Sequence, residues 1–567
     1  MDFSIFIGGQ AGEGIKRGSM LIGKVFNRYG YHVFIMNDYG SLIRGGTDYT
    51  EIRVSSKEIH TSYNRFDYMF AFHMDVFEKY KGMAKENCFT LTSNDFPYDD
   101  IIKEAQAEPF MKPSIVLGVL SYMLNIPENF VEDVIEDDLK KNAPQNIELF
   151  RVGYKLAEEK GFKSIHLLKG DKTPKPLLYG NDAIGLGAVR AGLKVYAAYP
   201  ITPSTTLLEF LAKNADRLGI VALQLEDEIA AINLAIGSAY AGVPSMVGTS
   251  GAGLDLMGET ISLAGATETP IVILDVMRVG PSTGAPTYTE QGDVNLALNI
   301  GHGEFPRIVL APGDVGEAFE VTALALRFAW WYQTPVIILS DKHISESART
   351  TEIVEEDKAF LKLHPKTFSL SFSDHYPTMV KTYDKEIDGE YHRYKITPDG
   401  ISPYTPPSTP DVVVHTNSTE HTEEGYSSSL PETLTKMKEK RVRKMKTIED
   451  DFKLMRFINV FGKGPVAVVS FGSPKGAILE AMENLGIKFV QVVSLEPFPT
   501  DAVIEELKGV KKIISVEQNS FGQFADLFER KTGLKIDKRI LKYDGRPFSP
   551  WALRSMFEEV HNSCYIL

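Results

Sequence analysis

A chain of 567 residues exceeds what one hydrophobic core supports, and its length predicts about three or four domains. A hydrophobic content of 43% with 24% charged residues is that of an ordinary globular protein, and a net charge of −14 argues against a general affinity for nucleic acid or anionic membrane. The two cysteines, Cys88 and Cys564, cannot build an iron–sulfur or zinc cluster within one chain.

In chain order, the opening MDFSIFIGGQAGEG carries neither a basic n-region nor a small-residue cleavage site, and no apolar run reaches transmembrane length. A cytoplasmic protein without a membrane partner is the expectation. FSIFIGG reads as a strand entering a glycine turn, followed by a helix from about Glu13 to Tyr29 and the strand HVFIMND. YTEIRVSS and DYMFAFH read as further strands, MDVFEKYKGMAKE as a helix, and the alternation predicts a mainly parallel sheet. A polar helical run, VEDVIEDDLKKNAPQNIELFRVGYKLAEEKG, ends in glycine and marks a domain edge. Next come the apolar strands KVYAAYP, IVALQLE, PSMVGTS, PIVILDVMR, RIVLAP and TPVIILSD, joined through helical segments, which predict a doubly wound parallel sheet. Periodicity fades from about Ser345 to Phe461, through ITPDGISPYTPPSTPD and a charged helix, TLTKMKEKRVRKMKTIEDDF, whose basic run reads as a solvated face. VAVVSFG, IKFVQVVSLEPFP and KKIISVEQN are the strands of a closing α/β fold.

Four segments of the middle fold sit at or just beyond the ends of successive strands: YPITPST (199–205), LEDEIAA (225–231), GTSGAG (248–253) and MRVGPSTGAPTYTEQGD (277–293). The carboxyl edge of an open α/β sheet is where ligands bind. Hydroxyls, a carboxylate cluster, a glycine-rich loop and Arg278 on one edge suit an anionic, carbonyl-bearing ligand. Taken singly, Thr202 or Ser204 could cap a helix, Glu226, Asp227 and Glu228 could decorate a helix start, and Arg278 could form a structural ion pair.

Together these segments resemble the α subunit of 2-oxoacid:ferredoxin oxidoreductases, most of all the 2-oxoglutarate type. GHGEFPR (301–307), YQTPVIILSD (332–341), DGISP (399–403), EQN (517–519) and KYDGRPFS (542–549) extend the match. The N-terminal region resembles the family's γ subunit, here fused ahead of the α part. The resemblance implies a multidomain α/β protein. A γ-like α/β domain spans 1–175 and closes over coenzyme A. A pyrimidine-binding domain of thiamine diphosphate type, the doubly wound parallel sheet, spans 176–350. A linker with the charged helix spans 351–460, and a transketolase C-terminal-like α/β domain spans 461–567.

The implied reaction is thiamine diphosphate-dependent oxidative decarboxylation of a 2-oxoacid with coenzyme A, yielding acyl-CoA, CO2 and reduced ferredoxin, or the reverse carboxylation. By resemblance, Glu228 is the glutamate that hydrogen-bonds the cofactor's aminopyrimidine ring, with Thr249, Ser250 and Gly251 beside the cofactor. Thr202 and Arg278 meet the 2-oxoacid, and Tyr199, Ile201 and Ser204 shape its pocket. In the family's 2-oxoglutarate members a glycine pair often follows that arginine; this chain has Val279-Gly280. The glycine loop GGQAGEG suggests a nucleotide site if read alone; by resemblance Gly9, Gly12 and Arg44 are coenzyme A contacts.

Thiamine diphosphate is usually held through a metal by a Gly-Asp-Gly segment, which the chain lacks. The expectation is therefore half an active site, completed by a β subunit that brings the diphosphate pocket, Mg2+ and a 4Fe-4S cluster, in an (αβ)2 assembly served by ferredoxin. Pyruvate or branched 2-oxoacids are the alternative substrates. A transketolase-like or 2-oxoacid dehydrogenase component, and a nucleotide- or CoA-binding protein without redox chemistry, are the other readings.

Overall fold

The computed structural model describes residues 1–40, 46–170, 172–352, 368–369 and 379–562. The chain divides into two compact units. The first comprises Met1–Tyr179 with Glu346–Glu352 and Ser549–Leu553; the second comprises Gly180–Ser345, Ile353–Phe548 and Arg554–Leu567. Among the described residues no helix is long and apolar enough to cross a membrane.

The first unit is built on a seven-stranded sheet in the order Ala84–Thr92, Phe66–Ala71, Asp2–Gln10, Thr47–Ser55, His32–Asp38, Ala348–Thr350, Leu177–Tyr179. The expected mainly parallel sheet is not what forms. Only the pairings on the Phe66–Ala71 side are parallel; the other four are antiparallel. The cause is chain length: the stretch from Asp38 to Thr47 is too short for a helical crossover, so Thr47–Ser55 returns antiparallel to His32–Asp38. The segment expected as one helix, MDVFEKYKGMAKE, is helical only over Met74–Tyr80. From Ala84 the chain is a strand, where ENCFTLT pairs beside Phe66–Ala71. Helix Ile15–Arg28 packs on the sheet through Leu21, Ile22, Val25 and Phe26.

The second unit holds the expected doubly wound sheet. All six apolar runs are strands, and each is parallel to its neighbours in the order Ile308–Leu310, Pro335–Asp341, Ile271–Met277, Ser245–Thr249, Val195–Ala198, Val221–Gln224. A seventh strand, Ser494–Glu496, pairs antiparallel with Ile308–Leu310 and closes that edge. The opposite edge, Val221–Gln224, is largely exposed. A five-stranded sheet, Ile458–Gly462, Ile487–Val492, Val466–Ser470, Lys512–Glu517 and Lys538–Leu541, shares one apolar core with it: Ile273 and Leu339 from the first sheet join Val469, Val490 and Phe524.

Helix Pro431–Met455 starts on a proline in its first turn and buries Met437, Lys440, Lys444, Ile448 and Phe452, a stripe at helical spacing. The expected solvated basic face is therefore only partly right. Lys440 and Lys444 lie inside, and their ammonium groups flank the buried carboxylate of Glu268: Lys440 on Oε1, Lys444 on Oε2 at 2.5 Å. Lys444 also donates to the Gln333 carbonyl at 3.1 Å. Arg393, buried beside them, donates to the carbonyls of Thr267 and Glu268. Burial, with Lys444 and Arg393 nearby, pushes Lys440 down to about 7.

Candidate functional site

The carboxyl ends of four adjacent strands, Ile271–Met277, Ser245–Thr249, Val195–Ala198 and Val221–Gln224, carry all four segments singled out in the sequence. Adjacency in the sheet brings them to one edge. The three acids of LEDEIAA have separate fates. Glu226 is exposed. Asp227, in extended conformation, caps helix Glu228–Tyr240 by accepting from Ala230 N at 2.7 Å. Glu228, the first residue of that helix, is buried, and its carboxylate has no hydrogen-bond partner among the described residues.

Glu228 can lie here because its neighbour is a glycine. A Cβ built on Gly253 would fall 2.1 Å from Thr249 Oγ1, 2.7 Å from Glu228 Cγ and 2.8 Å from Glu228 Oε1. The cradle thus joins GTSGAG to LEDEIAA. Thr249 and Ser250 are fully buried, and Ser250 begins helix Gly251–Leu256 without capping it, leaving its Oγ unpartnered. Gly253→Ala is expected to displace Glu228 and buried Thr249, lowering turnover and, by overpacking of about 1–3 kcal/mol, the melting temperature as well. Parallel kcat and thermal-shift measurements check this, and unchanged kcat would show that the cradle does not hold the acid.

The YPITPST turn does not cap its helix by side chain. Ser204 stands at the cap of helix Thr205–Lys213 but makes no capping bond; its buried Oγ is unpartnered. Pro203 follows a cis peptide bond after Thr202, and the Thr202 carbonyl accepts from Arg278 Nη1 at 2.6 Å. It is this backbone oxygen, not the hydroxyl, that meets the arginine. Ile201 and Thr202 are half-buried, and Tyr199 is exposed. Arg278, half-buried, feels the carboxylates of Asp293, Asp275 and Glu228, while burial lowers its pKa.

The loop after Arg278 is held by the closing α/β fold. Gln291 N donates to the Gln518 carbonyl at 2.7 Å, Gln518 N to Gln291 Oε1 at 2.9 Å, and Asn519 Nδ2 to the Gln291 carbonyl at 3.2 Å. Arg546 lies 3.8 Å from the centroid of the Tyr288 ring. The EQN and DGRPF segments are thus struts for this loop.

In the first unit, GGQAGEG is filled by its own side chain. Glu13 accepts from Gln10 N at 2.7 Å, bonds His73 Nε2 at 2.9 Å and pairs with buried Lys112, which also meets Asp99 at 2.6 Å. Gly9 faces that carboxylate: a Cβ there would lie 2.4 Å from Glu13 Oε2. Gly12 has a φ of +96° and open space around it. Arg44 lies outside the described residues.

Gly253 and Asp293 fall at the ends of two matched segments, but the sequence assigns neither of them, nor Asp275, a role in the site. Gly253 is legible as the last glycine of GTSGAG, whereas a single acid in IVILDVM leaves the strand pattern unchanged.

The residues fit the pyrimidine side of a thiamine diphosphate pocket: the Glu228 carboxylate, largely buried and without a hydrogen bond among the described residues, a glycine cradle that a side chain would fill, and an unpartnered serine hydroxyl on one sheet edge.

Comparison with known proteins agrees. Residues 186–440 match the family described as pyruvate flavodoxin/ferredoxin oxidoreductase, thiamine diP-bdg, and residues 4–156 match pyruvate ferredoxin/flavodoxin oxidoreductase. The 2-oxoacid:ferredoxin oxidoreductase subunit alpha of Saccharolobus solfataricus is 31% identical over 624 residues, covering 96% of each chain. The 2-oxoglutarate synthase subunit KorA of Archaeoglobus fulgidus is 34% identical over 366 residues, covering 62% of this chain and 90% of that one. The solved structure of 2-oxoglutarate:ferredoxin oxidoreductase from Magnetococcus marinus with 2-oxoglutarate, coenzyme A and succinyl-CoA bound superposes with a TM-score of 0.86 at 31% identity, covering 99% of both chains. A sheet edge built for thiamine diphosphate, and likeness along nearly the whole chain, place this protein in the 2-oxoacid:ferredoxin oxidoreductase family as an α subunit.

Proposed function

We propose that the chain is the α subunit, with a γ-like domain fused ahead of it, of a 2-oxoglutarate:ferredoxin oxidoreductase. The reaction is 2-oxoglutarate plus coenzyme A to succinyl-CoA and CO2, with two electrons passed to ferredoxin, or its reverse. The observation that carries this reading is Glu228: a buried side chain without a hydrogen bond among the described residues, beside a glycine, on the edge that also holds Arg278.

Thiamine diphosphate, when bound, supplies the carbanion chemistry that decarboxylation needs. Glu228 accepts a hydrogen bond from the protonated ring nitrogen and so holds that proton. A carboxylate suits the task because the bond strengthens as the ring gains charge. Arg278 binds the substrate's carboxylate through a planar guanidinium already oriented by the Thr202 carbonyl. Thr202 offers its hydroxyl to the same substrate, with Tyr199, Ile201 and Ser204 around it. Thr249, Ser250 and Gly251 pack against the ring.

The remaining half belongs to a β subunit with Mg2+, the diphosphate pocket and a 4Fe-4S cluster, in an (αβ)2 assembly in the cytoplasm. Tyr199 (40% exposed), Leu223 (38%), Ile229 (47%) and Leu256 (54%) lie around the site and support a partner there. The first unit closes over coenzyme A, with Gly9, Gly12 and Arg44 as contacts.

The substrate assignment is supported by the Magnetococcus marinus structure and the KorA relatives; the family descriptions, which name pyruvate, favour the alternative. Steady-state comparison of 2-oxoglutarate, pyruvate and 2-oxoisovalerate with the reconstituted pair decides. The expected kcat/KM for 2-oxoglutarate exceeds the others by about tenfold or more, ~1.4 kcal/mol. A preference for pyruvate would overturn the assignment. A colourless purified complex would overturn the cluster-bearing partner.

A further inference from the structure

Asp275 is the lone acid of the strand Ile271–Met277. Alternation along the strand puts it on the same face as Ile271, Ile273 and Met277, which belong to the apolar core. It is fully buried, and neither carboxyl oxygen has a hydrogen-bond partner among the described residues. Burial disfavours an ionised carboxylate so placed, so the neutral acid is the stable form.

Asp293 immediately precedes helix Val294–Asn299 and makes no capping bond there. Its carboxylate stands against Gly251, where a Cβ would lie 2.7 Å from Oδ2 and 3.0 Å from Oδ1. Two residues earlier, Gln291 is locked to Gln518 and Asn519, so Asp293 is held in place from the closing fold. Burial, then the Glu290 carboxylate, raises Asp293 to about 6, opposed by Arg278. Burial and Asp293 raise Asp275, again opposed by Arg278. Glu228 is the further charge acting on Arg278. The elements packed around Asp293 add Asp341, whose Oδ1 accepts from Ile344 N, and Asp526 and Glu529, both paired with Arg539; Asp255 is exposed.

We propose that Asp275 and Asp293 are an acid pair behind Arg278, and that loss of one proton from Asp293 to solvent sets how strongly Arg278 holds an anionic substrate. Asp275 remains the neutral member, so that a second negative charge never faces the guanidinium. With Asp293 protonated, the arginine's charge is open to the substrate carboxylate. With Asp293 ionised, an internal anion competes for it. Both are positioning residues, and the inference rests on the reading of Arg278 as the substrate's cation.

The sign follows from the carboxylate: Asp293 loses its proton as pH rises through about 6, so KM for the 2-oxoacid rises across that point. A coupling of one pKa unit corresponds to about tenfold in affinity. In the assembled αβ enzyme, Asp293→Asn should show a KM that no longer changes with pH and stays near the low-pH value. Arg278→Ala should raise KM for the 2-oxoacid at every pH, with KM for coenzyme A little changed. If Arg278→Ala leaves KM unchanged, the substrate reading falls and this inference with it. If Arg278→Ala raises KM but Asp293→Asn keeps the wild-type pH slope, only the acid pair falls. Infrared spectroscopy gives a readout apart from turnover. The carbonyl stretch of a protonated carboxylic acid should persist at about pH 8, well above an ordinary aspartate pKa, and vanish in Asp275→Asn. Should that variant fail to assemble, the spectra of Asp341→Asn and Glu517→Gln decide, because burial raises those two acids as well: a band that persists to about pH 8 in both supports a neutral Asp275, and its disappearance in either overturns it.

Discussion

Replacing Glu228 with alanine is expected to remove decarboxylation, by about 10²–10⁴-fold in turnover, the range by which a positioned acid or base accelerates proton transfer. The assembly should survive. Among the described residues Glu228 makes no side-chain hydrogen bond, and the cap of its helix is Asp227, not Glu228. Glu228→Gln tests the same point without opening space: the side chain keeps its shape beside Gly253 and loses its charge. Turnover by the reconstituted αβ pair, with bound thiamine diphosphate and iron counted in the same preparation, checks both variants. Turnover retained in Glu228→Gln would move the proton-holding role to another group. Loss of the cofactor together with loss of turnover would make Glu228 a binding rather than a proton-handling residue.

The second large effect concerns stability. Glu268→Gln is expected to destabilise the second unit by about 3–5 kcal/mol, the usual cost of leaving buried charges without their counter-ion. Lys440 and Lys444 share that carboxylate, and both are enclosed. Removing its charge strands two ammonium groups in an apolar setting, with Arg393 close by. Differential scanning calorimetry of the intact chain should show the transition of this unit move to lower temperature. The triple replacement Glu268→Met, Lys440→Met, Lys444→Met should recover much of the loss, because apolar packing of similar volume often equals a buried ion cluster. A Glu268→Gln protein that melts with the wild type would mean that the lysines are wet or uncharged when the glutamate is gone.

Much of this was legible in the sequence. The six strands of the doubly wound sheet are apolar runs with turn residues at their ends, so pattern alone placed them, and their carboxyl ends placed the segments around Glu228 and Arg278. What stayed hidden depends on distant partners. Lys440 and Lys444 sit in a run of lysines and arginines that reads as solvent-facing; only Glu268, far earlier in the chain, makes their burial stable. The mixed sheet of the first unit was misread because strand-like runs do not declare direction, and the short return from Asp38 to Thr47 had to be weighed against the helical punctuation around it. The hydroxyl expected to meet the substrate marks Thr202 in the sequence, but the bond from Arg278 to its backbone carbonyl depends on the fold and leaves no trace in the pattern. Asp275 was passed over because one acid in IVILDVM leaves the apolar pattern intact.

The strand Ala348–Thr350 lies between His32–Asp38 and Leu177–Tyr179, and among the described residues the latter joins the sheet only through it. A ribosome releases Leu177–Tyr179 about 170 residues before it releases Ala348–Thr350. At roughly 5–20 residues per second, the nascent N-terminal unit waits on the order of ten to thirty seconds with the rim of His32–Asp38 unpaired. Until Ala348–Thr350 arrives, that rim is a template on which a neighbouring chain can add a strand.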